Sequence, residues 1–408
     1  MTPALDPPLD PADPSWAAFA LDALCDLQHP IKAAATAWAR EHLNDRDRVA
    51  ADRDAVFDRE GWARCAAHGV HGLLVPTAYG GGGHDVITTL LTMEGLAVGA
   101  RDQGLLYAIA SQMCSTQVAL CAFGSEEQKQ RWLPPMCRGE AVGSFAITEP
   151  GHGSDTDHLE ARAERLDDGS YRIDGSKAHI TLAPIADVVV VFASTDPGAR
   201  GWGISAFVVP TDTPGVRLGP NREKMGMRTT PYGDIDLDGV VVPADARLGP
   251  EGAGTSIFLT SMETERNLVY ATQIGAMERQ LAACIDHARA RKVGGRPIGD
   301  LQAVSHRIAD MKLRHETARV LMVKAAIGSA RREPGAMASA LTKLAASEGA
   351  VASGIAATQV FGANGYVSDH EHERDARDAV GGLLYSGTSD IQRNIIARLL
   401  GATKGTNR

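Results

Sequence analysis

The spacing of apolar residues changes twice along the chain, and this alternation limits the folds that it can adopt. β-branched runs cluster in the middle, at residues 188–192, 204–209 and 234–242, as in short strands. After Gly254, apolar residues recur at steps of three and four, which is the repeat of an amphipathic helix. The predicted buried face of that helix carries Tyr270, Ile274, Met277, Leu281, Ile285 and Ala288. The sequence therefore predicts a small β domain between two helical regions.

The alternation divides the chain into four segments. We predict a flexible, proline-rich tail at 1–15, an N-terminal helical domain at 16–140, a middle β domain at 141–254 and a C-terminal helical bundle at 255–408. This organisation is α+β and mostly α. The 408 residues also exceed the roughly 250 to 300 at which single hydrophobic cores stop growing, so several packed units are expected.

Local signals predict particular turns, caps and faces. Ser125, which two glutamates follow, is a predicted helix N-cap. The Asp-Gly pairs at 174–175 and 238–239 predict turns between strands. Two further apolar stripes predict the buried faces of C-terminal helices, one formed by Val304, Ile308 and Met311 and the other by Leu341, Leu344, Val351 and Ile355.

Composition argues against several classes of protein. The formal net charge of -9 disfavours broad binding to nucleic acid, which needs an excess of lysine and arginine. No apolar run approaches the roughly 20 residues that cross a bilayer, so no membrane span is expected. The six cysteines include no C-x-x-C pair, so neither a zinc site nor a disulfide framework is predicted. A reducing, cytoplasmic location fits these features best.

The segment FAITEPGHGSD, residues 145–155, lies where the helical pattern gives way to strands. Gly151 and Gly153 allow backbone N–H groups to approach a ligand closely. The hydroxyls of Thr148 and Ser154 suit a flavin ring edge or a pyrophosphate. Taken alone, the segment is equally consistent with an ordinary turn between domains.

This segment closely resembles the TEP-x-x-GSD signature of the acyl-CoA dehydrogenases, and further blocks follow in that family's order. They are KMGMRTT from Lys224, ERNLVYATQIGAMERQL from Glu265, ARKVGGRPIGDLQAV from Ala290, QVFGANGYVSD from Gln359 and YSGTSDIQRNIIARLL from Tyr385. Their joint order, across roughly residues 60–400, is more specific than any single block. The resemblance implies an N-terminal helical domain, a middle β-barrel-like domain and a C-terminal four-helix bundle.

The resemblance also implies an oxidoreductase, a flavoprotein that uses FAD for the α,β-dehydrogenation of an acyl thioester. Coenzyme A or an acyl-carrier protein would hold the acyl group. In such enzymes a carboxylate removes the α-proton while the β-hydrogen leaves as hydride to the flavin. An electron-transfer flavoprotein or oxygen then accepts the electrons. Two other hypotheses stay open, namely a flavin oxidase or monooxygenase on the same fold and a non-catalytic thioester-binding protein.

Glu265 is the predicted catalytic base. Many family members carry the base just before the Gly-Thr pair, where this chain has Ser386. Glu265 instead matches the base position of the isovaleryl-type and long-chain-type branches. It also shares an apolar stripe with Met262 and Val269, where desolvation would raise its pKa towards neutrality. The competing interpretation is an ion-paired or ordinary surface glutamate.

Substrate contacts are predicted around this base. The backbone N–H of Ser386 is expected to polarise the thioester carbonyl, as its counterpart does in the family. The resemblance places Glu263 and Arg266 in the substrate pocket and adds Ser154. A buried structural ion pair is an equal alternative for Arg266.

The resemblance assigns two sets of FAD contacts. The set near the flavin ring and pyrophosphate is Phe145, Ile147, Thr148, Gly153, Ser154, His179 and Thr181. The set that acts across a subunit interface is Arg291, Gln302, Gln359, Gly362, Thr388 and Asp390, so a homo-oligomer, by default a homotetramer built as a dimer of dimers, is expected. His179 replaces a usual tryptophan, and Gly294 replaces a phenylalanine beside the adenine, which predicts weaker FAD binding.

His370 and His372 raise the question of a metal site. Two histidines at i and i+2 do not share a helix face, and the sequence offers no third ligand nearby. We therefore predict a solvated loop and no metal.

Overall fold

The structure is a computed structural model that describes residues 16, 18, 20, 22, 23 and 29–403. The predicted tail at 1–15 lies outside the described residues. The N-terminal region is helical, with α1 (Pro30–His42), α2 (Arg48–Arg53), α3 (Arg59–Ala67), α4 (Val86–Gly99), α5 (Gln103–Ser111), α6 (Val118–Phe123) and α7 (Glu126–Cys137). A π-helical turn, Gln112–Gln117, joins α5 to α6.

Ser125 is the N-cap of α7, as predicted. Its hydroxyl accepts a hydrogen bond from the Gln128 N–H at 3.2 Å, and the Gln128 side chain accepts one from the Ser125 N–H at 3.0 Å. This reciprocal capping box satisfies two N–H groups that a helix start leaves unpaired. The predicted N-cap is therefore the ordered start of α7.

Eight strands form one sheet in the middle of the chain. They are β1 (Gly143–Ala146), β2 (Arg162–Arg165), β3 (Tyr171–Thr181), β4 (Val188–Ser194), β5 (Ile204–Pro210), β6 (Val216–Leu218), β7 (Tyr232–Val242) and β8 (Arg247–Leu248). The strand order is β6-β7-β3-β2-β4-β5-β8, and β1 pairs in parallel with β4. Every residue of β4 is buried because both of its faces are covered, which explains its unbroken valine run.

The Asp-Gly pairs at 174–175 and 238–239 do not form the predicted turns. Both lie inside long strands, β3 and β7, which run antiparallel to each other. The two pairs face each other at a shift in strand register, where the Gly239 N–H donates to Asp174 Oδ1 at 2.7 Å. Gly239 takes a φ of 63°, which glycine adopts without steric cost. A residue pair that favours a turn has here produced a β-bulge.

The C-terminal region is dominated by α8 (Gly254–Ala290), α9 (Gln302–Ala330) and α10 (Ala336–Phe361). These three pack on one another, while α11 (His372–Gly381) and α12 (Ser389–Leu399) pack on α10. A two-stranded hairpin, β9 (Lys292–Val293) and β10 (Arg296–Pro297), follows α8. The predicted α+β organisation, mostly α with a central sheet, is confirmed.

The predicted buried face of α8 is confirmed. Tyr270, Ile274, Met277, Leu281 and Ala288 are buried, and Ile285 is half-buried against the same core. Part of this face packs on α4, so α8 connects the N-terminal and C-terminal helices in one core.

The prediction that an apolar stripe forms the buried face of α10 was wrong. Leu341, Leu344 and Val351 are only half-buried, and Ile355 is 51% exposed. The buried face of α10 instead consists of small and polar residues, including Ala340, Ser347, Ala350, Ser353 and Ala357. Small side chains let neighbouring helices approach closely, so the apolar stripe is left facing outward.

The helical stretch from Gln103 to Phe123 is 21 residues long and apolar enough, by length and composition, to cross a membrane. The stretch is not one unbroken apolar run, because polar residues such as Gln112 and Gln117 lie within it. Moreover, 78% of its apolar window is buried inside the fold. Core helices of ordinary globular domains pass the same test, so the stretch is weak evidence for a membrane span.

Candidate active site

Glu265 lies in the first third of α8, and its side chain points into the core. The residue is only 6% exposed, and the predicted apolar neighbours Met262 and Val269 are buried as well. Each carboxylate oxygen has its own hydroxyl partner: the Ser386 hydroxyl donates to Oε1 at 2.5 Å, and the Ser115 hydroxyl donates to Oε2. Neutral groups therefore satisfy this buried carboxylate.

Burial raises the pKa of Glu265 above its ordinary value of 4.5. The hydrogen bonds from Ser115 and Ser386 and the positive charge of Arg266 oppose this shift, but burial outweighs them. A carboxylate with a raised pKa is a stronger base than an exposed one, and it can exchange protons nearer neutrality.

Three tyrosines surround this carboxylate. The ring centroid of Tyr385 lies 4.7 Å from that of Tyr107 and 5.4 Å from that of Tyr270. Burial raises the pKa of all three phenols, and the negative charge of Glu265 raises each further. Burial and the nearby carboxylate therefore keep the three phenols neutral.

Ser386 lies at a strained turn. It takes a φ of 56°, a left-handed conformation that is unusual for a residue other than glycine, and it is buried. Its carbonyl accepts hydrogen bonds from Arg266 Nε at 3.0 Å and from Gln392 Nε2 at 3.2 Å. Its backbone N–H has no hydrogen-bond partner within the described chain. A buried, unpaired N–H is a ready donor for a substrate carbonyl.

Arg266 and Glu263 take different positions around the site. Arg266 is buried and binds the Ser386 carbonyl, so the structural ion pair considered for it is replaced by a charge-assisted hydrogen bond to the backbone. Glu263 is half-buried and lies against Gly335, in the turn between α9 and α10. Of these two, only Arg266 contacts the residues that surround the Glu265 carboxylate.

Several predicted flavin contacts meet at one edge of the sheet, where β1 and β3 end. The Ala178 N–H donates to the Thr148 carbonyl at 3.0 Å, and the Ser144 hydroxyl donates to the Thr181 carbonyl at 2.6 Å. The hydroxyl oxygens of Thr181 and Tyr107 lie 3.5 Å apart. Because Tyr107 also belongs to the tyrosine cluster, this edge adjoins the Glu265 carboxylate.

The remaining contacts predicted from the same segment extend outward from this edge. Phe145 is half-buried and packs edge-on against Phe192, with 4.8 Å between ring centroids, and Ile147 is buried. Gly153 and Ser154 are exposed, and no atom lies within 4 Å of where a Cβ at Gly153 would stand. The hydroxyl of Thr148 makes no hydrogen bond to any described residue. Open glycine backbone and free hydroxyls fit the edge of a flavin and its pyrophosphate.

His179 is exposed and takes a φ of 62° at a register shift in β3. Its backbone N–H donates to Asp234 Oδ1 at 3.1 Å, and its ring lies 5.8 Å from that of Tyr232. The ring is therefore held only loosely by its neighbours and is free to lie against a planar ligand.

The second set of predicted FAD contacts does not gather in one place. Arg291 directly follows α8, about 39 Å along the helix axis from Glu265, and Gln302, Gln359 and Gly362 are exposed near helix ends. Thr388 and Asp390 instead lie just beyond Ser386. The Thr388 hydroxyl accepts a hydrogen bond from the Ile391 N–H at 3.3 Å and caps α12. The set therefore divides between the two ends of α8. Gly294 lies in the β9–β10 hairpin and is exposed.

His370 and His372 lie before and at the start of α11. His370 is exposed, but the ring of His372 stacks on Phe361 with 3.5 Å between centroids. The prediction of a solvated loop was therefore wrong for His372, because aromatic stacking half-buries it.

Models of the three acyl-CoA dehydrogenase domains match successive parts of the chain. The N-terminal domain matches residues 26–140, the middle domain 144–240 and the C-terminal domain 252–401. The chain belongs to the acyl-CoA dehydrogenase family. As a member of that family it is an FAD-dependent oxidoreductase that dehydrogenates acyl thioesters.

Relatives of this dehydrogenase include enzymes named for prolyl groups. An L-prolyl-[peptidyl-carrier protein] dehydrogenase of Pseudomonas fluorescens is 43% identical over 349 residues, which is 86% of this chain and 92% of the relative. The solved structure of the prolyl acyl carrier protein oxidase AnaB has a TM-score of 0.90 at 37% identity, covering 92% of this chain and 99% of that one. PigA with FAD and proline has a TM-score of 0.89 at 34% identity, covering 92% and 98%.

Several residues of this dehydrogenase's candidate site were missed by sequence reasoning. They are Ser115, Tyr107, Tyr270 and Tyr385, together with Cys114, whose pKa is raised by burial and by the charge of Glu265. Tyr385 begins a family block and could have been noted. Ser115 carried no such signal, because it lies 150 residues from Glu265 in an otherwise ordinary helical stretch.

Proposed function

We propose that this enzyme dehydrogenates a prolyl group held as a thioester on the phosphopantetheine of a carrier protein, with Glu265 as its base. The observation that carries the proposal is the environment of the Glu265 carboxylate, which is buried, held by two hydroxyls and adjacent to an unpaired N–H. Two relatives that share this fold are named for prolyl carrier proteins, and one solved structure contains proline with FAD.

The chain supplies three functions for the reaction. Glu265 takes the α-proton of the thioester, which is acidic because the resulting charge spreads to the carbonyl oxygen. The Ser386 N–H donates to that oxygen and stabilises the charge as it develops. Thr148 and Thr181, at the β1–β3 edge, would hold FAD, which would supply the acceptor for the β-hydride when bound. The proton on Glu265 is afterwards released to solvent, and the product is an α,β-unsaturated thioester.

The tyrosine cluster favours a compact acyl group over a long chain. The ring centroid of Tyr385 lies 4.7 Å from that of Tyr107 and 5.4 Å from that of Tyr270, next to the base. A five-membered ring presents its α- and β-carbons without needing a deep channel. This argument supports a prolyl or short acyl substrate on either a carrier protein or coenzyme A.

A homo-oligomer, by default a homotetramer, is part of the proposal. Arg291, one of the FAD contacts predicted to act across a subunit interface, lies about 39 Å along α8 from Glu265, further than one FAD can connect along a single chain. A second copy of the chain would bring the C-terminal end of its own α8 to the β1–β3 edge of the first copy. The outward apolar stripe on α10, with Ile355 51% exposed, and the neighbouring Leu313 on α9, 65% exposed, supply surface for such contact.

We also propose a cytoplasmic location and an electron acceptor that is either oxygen or an electron-transfer flavoprotein. The cysteines Cys65, Cys114, Cys121, Cys137 and Cys284 are free thiols, as a reducing compartment requires. The relative AnaB is named an oxidase, which supports oxygen as one acceptor. Mixing the reduced enzyme with oxygen or with an electron-transfer flavoprotein, and comparing reoxidation rates, would distinguish the two.

Anaerobic bleaching of bound flavin tests the proposed reaction. We would mix the purified enzyme with L-prolyl-carrier protein, butyryl-CoA and a long-chain acyl-CoA. Prolyl-carrier protein is expected to bleach the flavin fastest. Glu265→Gln should lower the bleaching rate by about 10²- to 10⁴-fold, because general-base catalysis contributes that much, while FAD stays bound.

Asp286→Asn is the matched control, because it removes an exposed carboxylate on the same helix, 21 residues from Glu265 and outside the hydroxyl cluster. Its bleaching rate by prolyl-carrier protein should stay within a few-fold of wild type. Equal bleaching by wild type and Glu265→Gln would contradict Glu265 as the base. Faster bleaching by butyryl-CoA would contradict the prolyl substrate, and thioester binding without bleaching would favour a non-catalytic protein.

A further inference from the structure

A π-helical turn places Ser115 against the base. The turn, Gln112–Gln117, interrupts an otherwise continuous α-helical stretch between α5 and α6. Such turns occur often at functional sites. Here all six of its residues are buried, and its fourth residue is the one whose hydroxyl donates to Glu265 Oε2.

Ser115 is tied to α8 at two points. Its hydroxyl donates to Glu265, and its carbonyl accepts a hydrogen bond from the Ser261 hydroxyl at 3.2 Å. Ser261 lies four residues before Glu265 on the same helix, so both bonds are made along one row of side chains. The π turn and α8 are therefore held in a fixed relation at the base.

We infer that Ser115 is a positioning residue whose hydroxyl fixes the Glu265 carboxylate in one orientation and stabilises its charged form. The inference deepens the proposed function, because it rests on Glu265 acting as the base. Ser386 holds the other carboxylate oxygen, but that residue also offers its backbone N–H to the substrate. The Ser115 hydroxyl hydrogen-bonds only to the base among the described residues, which makes its contribution separable by substitution.

The charge on Glu265 depends on a small set of neighbours. The titratable and charged groups that influence it, or that it influences, are Arg266 and Tyr270 on α8, Tyr107 on α5, Cys114 on the π turn and Tyr385 after α11. The tyrosines and the cysteine are neutral at physiological pH because burial raises each pKa. Arg266 and the two serine hydroxyls are thus the groups that stabilise the carboxylate.

Removing the Ser115 hydroxyl should make Glu265 hold its proton to a higher pH. Hydrogen bonds to a charged group are worth enough to move a pKa by about one unit or more. The midpoint of Glu265 protonation should therefore rise by about one pH unit in Ser115→Ala. At pH values above the new midpoint, the bleaching rate should recover towards the wild-type rate.

The test is a pH titration of the holoenzyme by difference infrared spectroscopy, which follows the protonated carboxyl band without substrate. Glu265→Gln identifies the band by its loss. Ser261→Ala is the control, because it deletes a buried hydroxyl that binds the same π turn but not the carboxylate. Ser115→Cys preserves the side-chain volume with a weaker donor, so its midpoint should fall between those of wild type and Ser115→Ala.

The bleaching rate supplies the second readout. For Ser115→Ala, the acid limb of its pH profile should move upward by the same amount as the infrared midpoint, with KM little changed. An unchanged midpoint in both Ser115 variants would overturn the inference, and so would an equal shift in Ser261→Ala. If Glu265→Gln still bleached, the proposed function would fail, yet the infrared midpoints would still report whether Ser115 holds Glu265.

Discussion

Two glutamates are buried in the helical core, and their partners differ in kind. Glu94, on α4, is fully buried and lies 2.9 Å from Lys32 Nζ and 3.0 Å from Arg319 Nε. Glu265 is nearly as buried, but both of its oxygens bind serine hydroxyls. Burial alone therefore does not create a base. Cationic partners fix a carboxylate as a permanent charge, whereas neutral donors leave its charge free to change.

The contrast extends to the neighbours of Glu94. Lys32 also reaches Glu278 at 2.5 Å, and His315 lies 3.5 Å from Glu278. Burial acts to raise the pKa of Glu278, but His315 and Lys32 outweigh it and lower this pKa to about 2. Atoms of Glu94, Glu278 and His315 that could act as metal ligands lie within 4.8 Å of one another. The cations of Lys32 and Arg319 already supply positive charge at this cluster, which disfavours a metal ion there.

Replacing Glu94 or Glu265 by glutamine should give the largest difference between two variants in the free energy of unfolding. Glu94→Gln removes the carboxylate that lies against two buried cations, Lys32 and Arg319, and we expect the free energy of unfolding to fall by about 3–5 kcal/mol. Glu265→Gln removes a carboxylate that no cation binds directly, so it should leave stability at pH 7 unchanged or slightly raised. Thermal and urea unfolding of both holoenzymes at pH 7 would measure this. Similar losses in the two variants would mean that the clusters do not differ as described.

A smaller effect is expected at Glu278, whose side chain is 21% exposed. Glu278→Gln should lower the free energy of unfolding by about 1–2 kcal/mol at pH 7, because solvent screens part of its interaction with Lys32. A lowered pKa contributes stability above the ordinary value of 4.5, and this stability is lost as the pH falls towards about 2. The unfolding curves of wild type and variant should therefore converge on acidification. A difference in the free energy of unfolding that stayed constant down to pH 3 would contradict a lowered pKa of Glu278.

The smallest expected effect has the opposite dependence on pH. Because the pKa of Glu265 is raised in the folded state, its contribution to stability is present below 4.5 and is lost as the pH rises through the folded pKa. Relative to Glu265→Gln, the wild type should lose stability as the pH rises from 4.5 through the folded pKa of Glu265. Unfolding midpoints measured across this range would show the slope. If the wild type instead gained stability relative to Glu265→Gln as the pH rose, the pKa of Glu265 would be lowered in the folded state.

Sequence could predict the burial of Glu265 but not the identity of its partners. Met262 and Val269 lie one helical turn away, so periodicity alone placed the carboxylate on an apolar face. Ser115 and Tyr107 are brought to it by tertiary packing over 150 or more residues. A serine within a helix is not distinguishable by pattern from any other helical serine, and nothing in the local spacing signals a π turn.

The wrong predictions of a turn within β3 and of a buried stripe on α10 have a similar physical origin. An Asp-Gly pair favours positive φ, but the partner strand decides whether that conformation closes a turn or forms a bulge, as at Gly239. The stripe that includes Leu341 and Ile355 correctly marked an apolar face of α10. Periodicity identifies such a face without revealing whether the same chain covers it or leaves it outward.

The helix α8 carries Glu265 and Glu278 thirteen residues apart, about 20 Å along one axis. A slip of that helix by one residue would rotate every side chain on it by about 100° and advance it by about 1.5 Å. Such a slip would take Glu265 away from both serines. The contacts of Glu278 with Lys32 on α1 and with His315 on α9 oppose it. The contacts of Glu278 therefore help to fix the position of α8 along its axis. That position determines where the Glu265 carboxylate points.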